Sequence, residues 1–399
     1  MVMKMSKKGI AVIFLIILGL AAVIQLAFNL TGFGADDMQL VNTNQYVSYG
    51  VDSNPLFYSN GTRSFFLASR TGVRNVNDRG ENRWSPEHFS LTRPHMAARG
   101  DIVAVGEAER ARLIYMFNNN ELQHMHTLDN PAMSFFVNSS GFLSVISQID
   151  TRFQILVFNH LYYGNDRAFG RTIAPADHPM QVPVIADVSV CGRYVAIAYL
   201  DMSRNLTTSI EFFNRREAPQ GTDGLFAHIE FPGETILAMR FMEDNHLLII
   251  TEARITLQRI EGNARHQVWE EPIHNVIQEV AFDGDSRFAF VAGTATSPDG
   301  RYADPLGTVN IFDLGGQTGR FYFGRRGTHL SMGHGAVIVG SERYFRAVNA
   351  QGQGLWHFIA TQDVRDIIFL NDTNSVLVAG SNRAYVWRRQ RARQDVAEE

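Results

Sequence analysis

From about residue 39 onward the chain repeats one arrangement of short apolar runs, and nothing else in the sequence restricts its fold as strongly. Each copy reads as a semi-apolar strand, a turn, a very apolar strand, a short turn, a third strand ending near Asn or Asp, a polar turn and an outer strand. Runs rich in Val, Ile, Phe and Tyr pack well on a pleated surface, and the bounding Gly, Asn and Asp accept turn geometries, so each run is read as a short antiparallel strand. No long amphipathic-helix pattern interrupts them. The clearest copy has strands at 55–58, 64–68, 72–77 and 82–84; the next has 101–105, 112–117 and 122–128. Later copies begin near residues 134, 186, 237, 279, 330 and 365. A four-stranded sheet cannot bury both of its faces alone, so units spaced by roughly 40–50 residues stack around an axis as a β-propeller.

Eight units are counted, which predicts an all-β, eight-bladed β-propeller over residues 39–390, or seven blades if one unit is a false count. The eighth unit offers only three strands, at 365–370, 375–379 and 383–387. Residues 39–49 form an unassigned strand-like run at the other end of the chain. They are expected to supply the missing outer strand, which couples the termini and removes open edges.

Ahead of the repeat lies an apolar stretch, residues 9–30, with no formal charge and only Gln25 and Asn29 strongly polar. A helix of about 20 residues spans the hydrocarbon core of a bilayer. Lys4, Lys7 and Lys8 precede it and Asp36 and Asp37 follow it. Cations favour the cytoplasmic side, so the expected layout is a cytoplasmic N-terminus (1–8), a transmembrane helix (9–30), a linker (31–38), an extracytoplasmic propeller and a polar tail (391–399). The apolar run exceeds the core of a cleaved signal peptide, which favours an uncleaved signal-anchor.

Composition narrows the chemistry. The chain has 36 Lys+Arg against 40 Asp+Glu, but its only lysines are those three, so 33 arginines face 40 acids in the rest of the chain. No lysine is left there for a Schiff base or a P-loop. A mildly acidic body argues against non-specific nucleic-acid binding. The single cysteine, Cys191, excludes an internal disulfide and any multi-cysteine metal site.

Two stretches carry a resemblance. Residues 76–84 (VNDRGENRW) and 348–356 (VNAQGQGLW) resemble the quinoprotein-type propeller repeat, with a core like Asp-x-x-x-Gly-x-x-x-Trp, and Trp269 holds a comparable place. The resemblance implies that Trp84, Trp269 and Trp356 plug between neighbouring blades. The anchor, the Trp84 unit and the succession Gly100–Val105 then Ile114–Asn118 also resemble a family of bacterial membrane-anchored proteins. That family is built on a domain of unknown function, with one N-terminal helix and a propeller-like body. It implies no activity.

Sites of chemistry are sparse. A quinone-dependent dehydrogenase of the quinoprotein type commonly uses two adjacent cysteines, and Cys191 is alone. His124 and His126 alternate on a strand and share a face, a pair that can begin a zinc or copper site, but no third ligand is identifiable and an outer, half-exposed strand explains them more simply. The pairs Glu107/Glu109, Glu270/Glu271 and Asp363/Asp366 could serve acid–base chemistry, yet read better as solvated loop acids. The segment Asp283-Gly284-Asp285-Ser286 is calcium-like in composition and is read as a turn. Arg388, Arg389, Arg391 and Arg393 form a basic cluster that could meet anionic lipid or envelope polymer and is read as part of a solvated tail.

No catalytic residue, cofactor or metal is therefore expected. The preferred function is a non-enzymatic platform at the cell envelope that binds a protein or peptide, with the insertion 294–306 as one contact loop. The alternative is an extracytoplasmic enzyme, a glycan hydrolase or lyase or a quinone-type redox protein, which needs acids or histidines converging on the central channel.

Overall fold

A computed structural model describes residues 38–50, 55–118, 121–159, 167–173, 181–202, 206–216, 224–293 and 307–391. The expected transmembrane helix at 9–30 and the contact loop at 294–306 lie outside the described residues. Among the described residues no helix is long and apolar enough to cross a membrane, and regular structure is almost entirely antiparallel strand. The architecture is a β-propeller.

Taken in chain order the strands fall into four-stranded units. Unit 1 holds Leu56–Tyr58, Ser64–Ser69, Gly72–Asn77 and Glu87–His88. Unit 2 holds Pro94–Arg99, Ile102–Glu107, Ala111–Phe117 and the first half of Leu122–Val137. The second half of that long strand opens unit 3, followed by Phe142–Ile149, Arg152–Asn159 and Arg167–Ile173. Ala132 marks the change of partner: it faces Ala111 in unit 2 and Ser147 in unit 3. Unit 4 is Gln181–Val188, Tyr194–Asp201, Thr207–Asn214 and Leu225–Phe231. Unit 5 is Ile236–Phe241, His246–Thr251, Arg254–Glu261 and Ala264–Pro272. Unit 6 is Val276–Asp283, Arg287–Gly293, Thr308–Asp313 and Gly316–Tyr322. Unit 7 is His329–Gly333, Ala336–Ser341, Tyr344–Asn349 and Gly354–Ile359. Unit 8 joins Asp366–Phe369, Ser375–Ala379 and Arg383–Arg391 to the N-terminal strand Met38–Ser48.

That last pairing is the expected closure. Met38–Ser48 runs antiparallel to Arg383–Arg391, with Leu40 opposite Arg389 and Val47 opposite Ala384, and Gln39 also meets His357 of unit 7 in a parallel contact. Arg388, Arg389 and Arg391 are therefore part of the closing strand, contrary to the reading as a tail. Leu40 and Val47 are buried, and their apolar side chains provide the register that a free tail lacks.

The core is distributed as apolar clusters between successive units. Phe66, Ala68 and Val73 of unit 1 pack with Val103, Val105 and Phe117 of unit 2. Phe65 and Leu67 use the other face to meet Leu377 and Val386 of unit 8. The second strand of a unit is thus buried on both faces, as Ser64–Ser69 and Ser375–Ala379 are throughout, whereas the outer strand Ala264–Pro272 is largely exposed. This gradient explains why the second strand is the most apolar run of every copy.

Two turns show why the repeat reads as it does. Asn77 Oδ1 accepts from the amides of Arg79 and Glu81, and Asn349 Oδ1 accepts from those of Gln351 and Gln353, all at 2.9–3.0 Å. Gly80 and Gly352 close these turns at φ of 84° and 79°, a region that favours glycine. A Cβ on Gly352 would lie 2.3 Å from the carbonyl oxygen of Arg320 in unit 6.

The tryptophans lie where the resemblance implies. Trp356 of unit 7 is fully buried against Phe369 of unit 8 and donates to the Thr373 carbonyl at 2.9 Å. Trp269 of unit 5 donates to the Leu314 carbonyl of unit 6 at 3.0 Å. Trp84 of unit 1 stacks on Phe117 of unit 2, with ring centroids 5.7 Å apart. This stacking corrects the expected outer strand at 82–84. Only Asn82 bridges to Val76, Trp84 leaves the sheet to reach the next unit, and the outer strand is Glu87–His88.

Candidate functional site in the central channel

The first strands of the units line a central channel, and the residues at their C-terminal ends meet across it. Arg99 ends Pro94–Arg99 in unit 2, Asp187 lies near the end of Gln181–Val188 in unit 4, Arg240 near the end of Ile236–Phe241 in unit 5, and Asp285 in the turn after Val276–Asp283 in unit 6. Arg99 Nη1 donates to Asp187 Oδ2 at 3.0 Å and Arg99 Nε to Asp285 Oδ1. Ser139 Oγ, in the unit 3 turn, donates to Asp285 Oδ2. Asp187 also accepts from the amides of Val188 and Phe241, at 2.9 and 2.6 Å. Arg99 and Asp285 come from units that are not neighbours in the chain, so their bond spans the channel.

The two arginines are not equally satisfied. The Arg99 side chain is 2% exposed. Burial opposes its charge, but Asp187 and Asp285 more than offset this and hold the guanidinium above its ordinary value. Asp285 is likewise buried, yet Arg99, the Ser139 hydroxyl and Arg240 keep its carboxyl below the usual carboxylate range. Arg240 is different. Its nearest carboxylate contact is Nη2 to Asp285 Oδ1 at 3.5 Å, and its enclosed Nε, like the Nη2 of Arg99, has no acceptor. Burial, reinforced by the neighbouring charge of Arg99, pulls its guanidinium down to about 10. Its guanidinium also sits over the Phe282 ring, 4.7 Å from the centroid.

This cluster separates two lobes of the channel. One, of about 610 Å³, has Arg240 at its inner wall and Val280, Leu330, Met332 and Ile368 around it. The other, of about 320 Å³, lies beside Met96, Phe136, Ile185 and Leu237. The wall of the smaller lobe is mainly apolar, whereas that of the larger mixes apolar side chains with Ser59, Asn60, Asp283, Ser331 and His334.

Around the cluster, the turns on the same face of the ring bond to one another. The Asn138 amide donates to the carbonyls of Val188 and Ser189. The Glu243 amide donates to the Asp285 carbonyl at 2.8 Å, and the Gly335 amide to Asp283 Oδ2 at 2.7 Å. Cys191 is exposed on this face, and its thiol donates to Asn245 Oδ1 at 3.1 Å. The Asp283–Ser286 segment is thus a turn as expected, but both its acids hold the face together.

The structure does not gather the other sequence candidates here. Glu107 accepts from the amides of Thr92 and Arg93, and Glu109 pairs with Arg93. Glu270 pairs with Arg254, and Asp363 with Arg343. Asp366 begins the first strand of unit 8, where burial pushes its carboxyl up to about 6. His124 and His126 share a face with rings 4.4 Å apart. His126 is buried against Phe158 rather than half-exposed, because the strand continues into unit 3, which covers it. Among the described residues no group of three or more His, Cys, Asp or Glu is placed to hold a metal ion.

Arg99, Ser139, Asp187 and Arg240 were not legible as a set. The inner strand that ends in Arg99 begins with Pro94 and lacks a β-branched run, so the repeat pattern passes over it.

Comparisons give a family match and a likeness of fold. The model of a family described as of unknown function (DUF5711) matches residues 43–386. No curated protein matches the sequence. The computationally designed protein Ika8 has a TM-score of 0.56 at 12% identity, over 86% of this chain and 99% of that one. BamB from Moraxella catarrhalis has 0.49 at 11%, over 88% and 99%. The β-propeller domain of Cps50 (Swd1) from Myceliophteria thermophila has 0.48 at 9%, over 88% and 99%. At such identities the likeness concerns the fold alone.

Proposed function

This chain belongs to the DUF5711 family, and we propose that in this member the eight units close into an eight-bladed ring held outside the membrane by the helix at 9–30, where the ring acts as a non-enzymatic platform for an envelope protein or peptide. The observation that carries the reading is the face of bonded turns around Asp285. Each turn is fixed by hydrogen bonds to its neighbours, so the face is preorganised, and a partner that docks there loses little loop entropy on the propeller side. The acids at its centre are consumed by Arg99, Ser139 and backbone amides, which leaves no carboxylate pair poised for acid–base work. The side of the membrane rests on the Lys4, Lys7 and Lys8 flank of that helix.

The chain supplies its own probe. Cys191 is the only cysteine, is exposed, and sits on the proposed docking face. A membrane-impermeant maleimide should label it in intact cells; labelling only after lysis would reverse the topology. A thiol–amine cross-linker attached to Cys191 finds no lysine on this chain beyond residue 8. In the native envelope it should therefore yield discrete adducts to a partner that disappear with Cys191→Ser. An adduct pattern unchanged by that substitution, or none at all, would sink the platform reading.

A further inference from the structure

We infer that the larger channel lobe is a binding site for a small organic acid, with a single carboxylate held by Arg240 and an apolar body against Val280, Leu330, Met332 and Ile368. Three observations meet in this lobe. First, its volume of about 610 Å³ is that of a small-molecule pocket. Second, Arg240 is the one guanidinium among the described residues on its wall, where it also borders the smaller lobe, and it is under-coordinated. Its Nε is enclosed without an acceptor, and its only carboxylate contact is 3.5 Å long. An enclosed donor without a partner is costly, and a planar guanidinium suits a carboxylate. Third, the bonds that Asp285 makes to Arg99 and Ser139 leave it a weak partner for Arg240.

The same geometry sets the charge and shape of the ligand. Arg99 has two close carboxylates, Asp187 and Asp285, and does not line this lobe, so the lobe has one weakly matched cation rather than two. A second negative charge on the ligand would face the Asp285 carboxylate with no donor of its own, which disfavours phosphates and dicarboxylates. On one side of the lobe Phe57, Phe282 and Phe369 lie beside the apolar residues already named and favour an unbranched apolar or aryl body, while Ser59, Asp283, Ser331 and His334 make the rest of the wall polar. The turn residues Asn60, Gly61, Gly284 and His334 border the lobe on the face that carries Cys191.

The test uses the full chain in lipid nanodiscs, with biphenyl-4-acetate and its uncharged amide titrated by calorimetry. The acid should bind saturably and the amide about tenfold more weakly or worse. Arg240→Met should weaken the acid to the level of the amide and leave the amide unchanged. Because that substitution lies beside a buried ion cluster, Ser331→Phe provides a second arm. It fills the lobe from the unit 7 wall, outside the ion cluster, and should abolish binding of both compounds while the melting temperature is kept. Equal binding of acid and amide, acid binding that survives both substitutions, or no saturable binding of the acid up to about 1 mM overturns the assignment.

Discussion

At the scale of single residues, the centre of the molecule depends on one arginine. Arg99 compensates two buried carboxylates from two other units, and removing one partner of a buried ion pair costs more than the pair contributes, because the remaining charge is left without water or a counterion. Arg99→Met should lower stability by about 3–5 kcal/mol in urea unfolding, through Asp187 and Asp285. Asp366 acts in the opposite sense. Its carboxyl is raised from 3.8 to about 6 by burial, so between those values the folded chain holds a proton that the unfolded chain has lost. This contribution favours folding most at low pH, falls as pH rises through that window, and has become a full penalty above it. Asp366→Asn keeps the neutral shape, so it should raise stability at pH 7.5 by about 1–2 kcal/mol and change it little at pH 4. A paired comparison of urea midpoints at the two pH values checks this; an equal gain at both would remove burial of the charge as the cause.

At the scale of elements, the strand Met38–Ser48 completes unit 8 with a segment from the opposite end of the chain. It covers the edge of Arg383–Arg391 and brings Leu40 and Val47 into two different inter-unit clusters. Arg388 also reaches Asp78 of unit 1 at 3.3 Å, so the seam is bonded across units 8 and 1. Without this strand a long, flat edge opens to other chains. Deleting residues 38–48 from the otherwise intact chain should lower the melting temperature by several degrees and produce concentration-dependent association in sedimentation velocity. A monomer that melts at the parent temperature would show that the strand is an ornament of the ring rather than its closure. Elements are also where the repeat misleads. The unit 1 outer strand shifts from 82–84 to Glu87–His88 because packing Trp84 on Phe117 outweighs continuing the ladder. The strand Leu122–Val137 serves two units, and the alternation of His124 and His126 carries no sign of the cover that unit 3 supplies.

At the scale of the whole molecule, the units have no core of their own. Each apolar cluster is shared by two neighbours, from Phe66 with Val103 between units 1 and 2 to Ile338 with Val376 between units 7 and 8. Repeats that bury their faces only on each other unfold together when the ring is closed and its ends are coupled. Thermal melts followed by far-ultraviolet circular dichroism and by tryptophan fluorescence should coincide, since Trp84, Trp269 and Trp356 all report on inter-unit packing. Separated transitions would show that part of the ring unfolds independently. The sequence alone was sufficient for most of what depends on near neighbours in the chain, the strand Pro94–Arg99 and the unit 1 outer strand excepted. It marks the buried second strands by their continuous apolar runs and the Asn77 and Asn349 turns by an Asn three residues before a Gly, and the count of strands per unit singles out 39–49 as the partner missing from the last unit. The tertiary structure alone decided which residues meet at the axis. Arg99 and Asp187 are 88 residues apart, and Arg99 and Asp285 are 186 apart. No local pattern links them, and they come together because closing the ring points the ends of all the inner strands at one place.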